Sequence, residues 1–340
     1  MWKASYNCGE SKNILISGCG DSFYGGELKG TSNYIWDDDY LEIAEGAPLR
    51  PGQMVCFIEC QHVGVFNITM CNSSCWNLFF HGCDYVQAAG LKILNHKRHT
   101  NSDGIDIDSC SYVTISDYII NTGNDCIAVR GDSAMLTDKT KACEYVTITN
   151  CVLSNSTCAV HVGIGPGSIH HINISNLVIS KSGEGLTFMT EWKGKNKVSI
   201  SDVIFDNITG DNIGIPIQLY SNEMEIKRIT ISNDRTYCKC GLRAYGKNGS
   251  ISDLILRNVD IYDKEHIYTY PELAVTERKS AVIDVHDVNG LTLDKVRVFA
   301  LDSYFDNRSK IVNLKNTTVS SADLKLIYRV EEKIVSCVSE

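Results

Sequence analysis

The feature of this sequence that most restricts its fold is a short phrase that recurs along it. The phrase reads Val or Ile, any residue, Ile, any residue, Asn or Asp, two further residues and Ile, and it returns at intervals of about 20 to 37 residues. A period in this range is typical of solenoids and other repeat arrays. The copies are Val113–Ile119, Val146–Val152, Ile172–Val178, Val198–Val203, Ile229–Ile231, Leu254–Val259 and Leu291–Val296.

Within each copy, β-branched residues alternate with polar ones, which indicates a strand and not a helix. An Asn, Asp or Ser then ends the strand, as a corner requires. Short strands that bend at regular corners and stack coil upon coil predict an all-β chain. We therefore expect a right-handed parallel β-helix of about ten coils, with its first recognisable strand at Ile14–Ser17.

The whole chain, residues 1–340, is predicted to form one β-helix domain, because a solenoid grows by stacking and no linker or low-complexity stretch interrupts the sequence. Solenoids need polar caps at their ends, and the first strand begins almost at once. We therefore expect a short or missing amino-terminal cap. The protein is then a monomer, or a homo-oligomer in which a neighbouring copy covers the open end.

The charge and the hydropathy of the chain limit the classes of partner and the cellular compartments that fit it. The formal net charge is -9, which argues against nucleic acid and strongly anionic polymers as partners. No apolar run approaches the ~20 residues of a membrane span, and the first residues lack the apolar region of a signal peptide. The sequence has 15 cysteines, which favour free thiols in the reducing cytoplasm over disulfides such as Cys71/Cys75 or Cys238/Cys240. The alternative is secretion, with the signal peptide absent from this chain.

Two acidic segments stand out from the repeat. The first runs from Asn101 to Asp108, and the second from Gly123 to Arg130. Asp103 and Asp125 are 22 residues apart, about one coil, so we expect them side by side on one sheet at a spacing of about 5 Å. Two carboxylates this close raise the pKa of one of them, which can keep it protonated as an acid. The alternative is a polar ladder at a corner, with no catalytic role.

These segments resemble the motifs of glycoside hydrolase family 28, the polygalacturonase family. The motif Asn-Thr-Asp-Gly-Ile-Asp is similar to Asn101–Asp106, and Gly-Asp-Asp-Cys-Ile-Ala is similar to Gly123–Ala128. The resemblance implies a pectin-lyase-like parallel β-helix and inverting hydrolysis of a glycosidic bond. It also implies a catalytic set at Asp103, Asn124 and Asp125, and no cofactor. No metal site is expected, since no second closely spaced Cys/His pair repeats with ligand spacing.

The sequence departs from the family pattern at three places. Asn124 occupies the position of the usual general acid, and an amide cannot donate a proton as an acid does. Cys158 occupies the position of the family histidine. Thr187 and Met189 replace the two cations that bind the galacturonate carboxylate. These changes predict poor activity on polygalacturonate, and they leave Asp125, raised in pKa by Asp103, as the expected proton donor.

Five further residues are candidates for contact with the substrate. Asp106 belongs to the first motif. Arg130 ends the second segment, and it could pair equally well with an aspartate or with a sugar. His161 is expected on the coil after Asp125 as a polar residue, a substrate contact or a proton carrier. Glu191 and Trp192 follow a later strand, and Trp192 offers a ring on which a sugar could stack.

The sequence therefore predicts a glycosidase that cleaves a plant or microbial polysaccharide or oligosaccharide by inversion, and that is not a true polygalacturonase. The alternative is a β-helix that binds carbohydrate and is catalytically inactive, by natural divergence or by engineering at Asn124. Glu184 and Glu191 are the spare carboxylates that could replace the missing acid.

Overall fold

The computed structural model describes residues 53–73, 75–95, 101–191, 197–248, 250–263, 281–300 and 311–328, together with short strands at 14–17, 34–36, 41–43 and 331–333. The strands are β1 Ile14–Ser17, β2 Tyr34–Trp36, β3 Leu41–Ile43, β4 Val55–Ile58, β5 Gln61–Phe66, β6 Ile68–Cys71, β7 Leu78–His81, β8 Asp84–Ala89, β9 Lys92–Leu94, β10 Ile105–Asp108, β11 Ser111–Ser116, β12 Ile119–Asn121, β13 Ile127–Arg130, β14 Cys143–Ser154, β15 Cys158–Gly163, β16 Ser168–Met189, β17 Ser199–Asn222, β18 Ile226–Cys238, β19 Leu242–Lys247, β20 Ile251–Asp263, β21 Ile283–His286, β22 Val288–Ala300, β23 Val312–Lys315, β24 Thr318–Tyr328 and β25 Glu331–Lys333.

Apart from β2, β3 and β25, which pair antiparallel, the strands stack into three parallel sheets that run along one solenoid. In the first sheet, nine parallel pairings link ten strands or strand ends, from β4 through β7, β10, β13, β15, β16, β17, β19 and β21 to β23. The second sheet runs from β5 to the start of β24, and the third runs from β1 and β6 to the end of β24. The fold is a parallel β-helix of about nine turns, close to the ten coils expected, and β1 is the strand predicted at Ile14–Ser17.

The core lies inside the solenoid, where inward side chains of successive coils stack in columns. One column of the second sheet contains Ile115, Ile148, Ile174, Phe205, Ile231, Leu256 and Leu293, all of which are buried. Burying one such side chain stabilises the folded chain by about 1.5–3 kcal/mol. The alternation of apolar and polar residues in the repeat is what fills these columns.

The asparagine of the repeat forms the corner between the second and third sheets. Asn150, Asn176 and Asn207 have positive φ angles of 58°, 56° and 57°, a left-handed conformation that asparagine tolerates better than most residues. Their amides bond from coil to coil, with Asn176 Nδ2 donating to Asn150 Oδ1 at 3.2 Å and Asn207 Nδ2 donating to Asn176 Oδ1 at 2.7 Å. The prediction that polar residues make the corners is confirmed here.

Cysteines supply part of the buried column next to the first sheet. Cys83, Cys110 and Cys143 are free thiols, and each Sγ donates to a carbonyl oxygen of the preceding coil. Cys71 and Cys240 are free thiols as well, so Cys71/Cys75 and Cys238/Cys240 are not disulfides.

Some expectations concern parts of the chain that the structure does not describe. The amino-terminal cap and Trp192 both lie outside the described residues. Within the described ranges, no helix has the length and apolar character of a membrane span.

Candidate active site

Asp103 and Asp125 occupy equivalent positions on neighbouring coils of the first sheet. Each lies two residues before a strand, β10 or β13, and these strands pair with Ile105 opposite Ile127. The amide of Gly104 donates to the carbonyl of Asp125 at 2.8 Å. The one-coil spacing of the two motifs therefore brings the two aspartates next to each other along the solenoid, as the sequence predicts.

The glycine after Asp103 is required by a close approach between the coils. A Cβ atom at Gly104 would lie 2.4 Å from the carbonyl oxygen of Cys126. Asn77 on the preceding coil donates through Nδ2 to the carbonyl of Asp103 at 2.9 Å. The backbone around Asp103 is thus fixed from both sides, which holds its carboxyl group in place.

The Asp103 carboxyl group is 2% exposed and bonds directly to Asn124. Asn124 Nδ2 donates to Asp103 Oδ1 at 2.8 Å. Burial raises the pKa of Asp103 well above its ordinary value, and the charge of Asp125 raises it further. Arg130 and the Asn124 hydrogen bond oppose that shift. The net direction favours a protonated carboxyl group.

Asp125 pairs with His161 on the next coil. His161 Nδ1 lies 3.0 Å from Asp125 Oδ2, which fixes the orientation of the imidazole ring. His161 Nε2 is buried, and no partner within the described residues bonds to it. The strand register places His161 beside Ala128, one coil after the second motif, as the sequence predicts.

Asp106, Asp108 and Arg130 form a buried charge cluster at the ends of β10 and β13. Arg130 lies 3.9 Å from Asp106 Oδ1 and 3.7 Å from Asp108 Oδ2, and its guanidinium carbon is 4.8 Å from the centre of the Trp76 ring. Burial raises the pKa of Asp106 well above its ordinary value and that of Asp108 to about 6. Asp106 is 0% exposed, which favours a role in holding Arg130 over contact with a sugar. Of the two partners considered for Arg130, the structure pairs it with aspartates.

Glu184 begins a second polar cluster one coil beyond His161. Thr187 Oγ1 donates to Glu184 Oε2 at 2.6 Å, and Gln218 Nε2 donates to Glu184 Oε1 at 3.0 Å. Burial raises the pKa of Glu184, and Asp125 raises it further, while the Thr187 hydrogen bond and His161 lower it. Thr187 occupies a position where the family motif has a cation, and here its hydroxyl group donates a hydrogen bond to Glu184.

Glu191 lies two residues after the end of β16 and bonds to the following coil. Asn222 Nδ2 donates to Glu191 Oε1 at 2.7 Å, and Glu191 is 6% exposed. The contact anchors Glu191 to its neighbouring coil and gives it a structural partner. Trp192, proposed beside it as a sugar platform, lies outside the described residues.

Several residues of the site were not predicted from the sequence. Asn77, Gln218 and Asn222 each fix a carboxylate or its backbone from another coil, and Trp76 contacts Arg130. Their partners are 26 to 54 residues away in sequence, so only the strand register could have found them. Among the described residues, no group of three or more His, Cys, Asp or Glu side chains is arranged to hold a metal ion.

A family model agrees with this geometry. Residues 10–233 match the model of the glycosyl hydrolases family 28. The chain belongs to this family. Its relatives include polygalacturonase QRT2 of Arabidopsis thaliana, 29% identical over 57% of this chain and 42% of that protein. Polygalacturonase-2 of Solanum lycopersicum is 25% identical over 62% of this chain and 43% of that protein. The chain thus spans less than half the length of these relatives.

Solved structures extend the comparison to the fold. An exopolygalacturonase from Thermotoga maritima superposes with a TM-score of 0.55 at 16% identity, over 87% of this chain and 59% of that one. An endo-xylogalacturonan hydrolase from Aspergillus tubingensis superposes with a TM-score of 0.52 at 14% identity, over 91% of this chain and 74% of that one. The fold of this family 28 member is the right-handed parallel β-helix that its repeats predict.

Proposed function

We propose that this protein is a glycosidase that hydrolyses an O-glycosidic bond of a polysaccharide or oligosaccharide with inversion at the anomeric carbon. The observation that carries the proposal is the pair of neighbouring aspartates, of which Asp103 is buried with its pKa raised, while Asp125 bonds to His161. Acid and base groups whose environments differ in this way are what glycoside hydrolysis requires.

The roles of the two aspartates follow from their surroundings. Protonated Asp103 donates its proton to the leaving glycosidic oxygen, which takes the electron pair of the breaking C–O bond. Asp125 accepts a proton from a water molecule, whose oxygen attacks the anomeric carbon from the opposite side of the ring. His161 positions Asp125 through the 3.0 Å contact. This assignment differs from the expectation that Asp125 is the proton donor, because burial is the largest of the influences that raise the pKa of Asp103.

The substrate proposed here is not polygalacturonate. Thr187 is 2% exposed and bonds to Glu184, and Arg130 is enclosed by Asp106, Asp108 and Trp76. The cations that would bind a galacturonate carboxylate are therefore replaced at Thr187 and Met189 or committed to other partners. A neutral or sparsely charged glycan fits this site better.

Turnover of a panel of defined oligosaccharides, with the anomer of the first product read by NMR, tests the proposal. We expect an inverted anomer and loss of at least 1000-fold in kcat for both Asp103→Asn and Asp125→Asn. Because the raised pKa keeps Asp103 protonated, activity should persist above the pH at which an ordinary aspartate loses its proton and should fall as the pH rises through the raised pKa. A rate that survives both substitutions would contradict the proposal and move the acid to Glu184, Glu191 or His161.

A second candidate function rests on Asn124. Its Nδ2 donates a hydrogen bond to Asp103 Oδ1 at 2.8 Å, and the residue occupies the position of the usual general acid. A protein that kept a glycan-binding surface around Asp103 and Asp125 and lost this acid would bind glycan without cleaving it. Retention on a polysaccharide column together with no turnover of any panel member would favour this alternative.

The location and the assembly of the protein belong to the same proposal. The free thiols at Cys83, Cys110 and Cys143 favour a reducing compartment, so we propose the cytoplasm, with secretion as the alternative. Its partner is the glycan, with neither nucleic acid nor membrane involved, and the chain acts as a monomer or a homo-oligomer.

A further inference from the structure

Four cysteines occupy equivalent positions on successive coils, at the corner between the first and second sheets. Cys60, Cys83 and Cys110 directly precede β5, β8 and β11, and Cys143 begins β14. These four strands pair in parallel from one coil to the next. The thiols therefore form one column along the solenoid, and none of them belongs to the proposed active site.

Within this column, Cys83 and Cys110 have the spacing that a disulfide requires. The Cys83 amide donates to Cys110 Sγ at 3.2 Å, and the two thiols are hydrogen-bonded to each other. Neighbouring parallel strands are about 4.7–4.9 Å apart, inside the ~4.4–6.8 Å that separates the Cα atoms of a disulfide. A bond between the two sulfur atoms therefore fits the stacking of the coils.

The two thiols differ in how readily they lose a proton. The hydrogen bond from the Cys110 thiol lowers the pKa of Cys83 below its ordinary value, and the amide of Cys60 donates to the same sulfur. Burial raises the pKa of Cys110 well above its ordinary value. The thiolate is the reactive form of cysteine, so Cys83 is the nucleophile of the pair and Cys110 is the thiol that keeps its proton.

The column becomes exposed on the coil before Cys83. Cys83 itself is buried, whereas Cys60 is half-buried and Cys56 is exposed. Burial raises the pKa of Cys56 to about 11, and Cys83 and Cys60 add to that shift, so the three thiols lie near one another. One coil of side chains separates Cys83 from solvent. The oxidant that can reach it is therefore a neutral molecule little larger than water.

We propose that Cys83 and Cys110 are an oxidation site, at which hydrogen peroxide forms a disulfide between two coils. The Cys83 thiolate attacks one peroxide oxygen, the O–O bond breaks, and the departing hydroxide takes up the proton that Cys83 lost. The Cys110 sulfur then attacks the sulfenic acid on Cys83, the S–O bond breaks, and the hydroxyl group leaves as water with the proton of Cys110. Two thiols and one peroxide thus give one disulfide and two water molecules.

Cys151 provides a matched control inside the same solenoid. It is a buried free thiol whose Sγ donates to the carbonyl oxygen of Thr149 at 3.3 Å. Its register partner on the next coil is Leu177, an alkyl side chain in place of a thiol. Burial raises the pKa of Cys151 to about 11. Cys151 is therefore as enclosed as Cys83 but should react much more slowly.

Peptide mapping without reduction, after the folded and reduced protein has been treated with hydrogen peroxide, tests the site. Catalase stops the reaction, and alkylation in denaturant at mildly acidic pH labels the remaining thiols. We expect a peptide pair joined through Cys83 and Cys110, lighter by two hydrogen atoms than the separate peptides and lost on treatment with dithiothreitol. Because thiolate content controls the rate, Cys83 should lose its free thiol at least about tenfold faster than Cys151.

Single substitutions separate the roles of the two sulfur atoms. In Cys110→Ser, oxidation of Cys83 should stop at the sulfenic acid, which dimedone traps as a thioether. In Cys83→Ser, Cys110 should stay reduced, because its pKa is raised. Cys151→Ser should leave the cross-link unchanged. If a serine variant does not fold, as judged by circular dichroism, the cross-link and the relative rates in the parent decide the matter.

Three results would overturn the oxidation site. The first is that no peptide pair joined through Cys83 and Cys110 forms at any peroxide concentration that leaves the protein folded. The second is oxidation of Cys83 and Cys151 at equal rates. The third is a disulfide from Cys83 to Cys56 or Cys60, which would assign the reaction to the exposed end of the column. None of these measurements depends on turnover of a glycan, so an inactive protein contradicts the proposed glycosidase and leaves the oxidation site standing.

Discussion

The side chains of Asn124 and Asp103 share one hydrogen bond, and that bond is one of several influences on the protonation of Asp103. Asn124 Nδ2 donates to Asp103 Oδ1 at 2.8 Å, which favours the charged form of Asp103. Burial and Asp125 act in the opposite direction and are larger. The proton on Asp103 is thus held by its surroundings, although the usual acid of the family is missing.

Replacing Asn124 by Asp separates the two proposed functions. In the glycosidase proposed here, the new carboxylate removes a donor from Asp103 and adds a negative charge beside it. We expect kcat to stay within about tenfold of the parent or to fall, and the alkaline limb of the pH profile to move upward, because the pKa of Asp103 rises further. The measurement is kcat against pH on the best substrate of the panel.

The opposite result is equally informative. An increase of several orders of magnitude in kcat with KM little changed would mean that the acid belongs at this position, since an acid acts mainly in the transition state. The parent would then be a silenced enzyme. Asn124→Ala is the control, because it removes the amide without adding a charge and should leave turnover in place.

The inward face of β18 breaks the apolar pattern at Asp234. Asp234 lies in register between Ile208 and Val259, both of which are buried in the core, and it is 3% exposed. Its Oδ1 has no hydrogen-bond partner within the described residues. Burial raises the pKa of Asp234 from 3.8 to about 7. The solenoid therefore carries a titratable group inside one of its coils.

This carboxyl group should make the stability of the protein depend on pH. Because its folded pKa is raised, the folded state binds more protons than the unfolded state between pH 3.8 and about 7, and stability falls as the pH rises through this window. At about 1.36 kcal/mol per pKa unit the full loss is about 4 kcal/mol. We expect Asp234→Val to unfold at a higher temperature than the parent at pH 8 and to differ less from it at pH 4.

Asp211, on the same sheet, is exposed, and Asp211→Asn is the control for this comparison. It should leave the difference between the unfolding temperatures at pH 4 and pH 8 as it is in the parent. An Asp234→Val protein whose unfolding temperature is below that of the parent at pH 8 would contradict the buried-charge explanation. That result would indicate that Asp234 has a partner whose interaction stabilises the folded state by more than burial of the carboxylate destabilises it.

The corner between the second and third sheets offers a test of the asparagine ladder. Asn176 has a φ of 56° and bonds to both Asn150 and Asn207. Asn176→Ala puts a Cβ residue with no polar group into a left-handed conformation, at a cost of about 1–2 kcal/mol. Asn176→Gly loses the same bonds but tolerates the conformation. We expect the Ala variant to be less stable than Gly in denaturant unfolding, and equal losses would assign the effect to the bonds.

The features of the molecule that could be predicted are those encoded by residues close together in the sequence. The strands, their corners and the adjacency of Asp103 and Asp125 follow from a period of two, from corner asparagines and from a spacing of one coil. The contacts of Gln218 with Glu184 and of Arg130 with Trp76 cross loops of unequal length, so the sequence does not give their register. Asp234 violates the alternation that predicts its own strand, so its burial could not be predicted from that pattern.

At the scale of the whole molecule, the net charge of -9 should govern how the protein meets an anionic polymer. Repulsion between like charges lowers the encounter rate, and salt screens it, since the Debye length falls from about 30 Å at 0.01 M to about 8 Å at 0.15 M. We expect weak hydrolysis of polygalacturonate at low salt and an increase in kcat/KM as salt is added. Hydrolysis of a neutral oligosaccharide, measured in parallel, should not depend on salt. A polygalacturonate rate that is high at 0.01 M and falls with salt would instead indicate a basic groove that captures the polymer, and it would restore polygalacturonate as the substrate despite Thr187 and Met189.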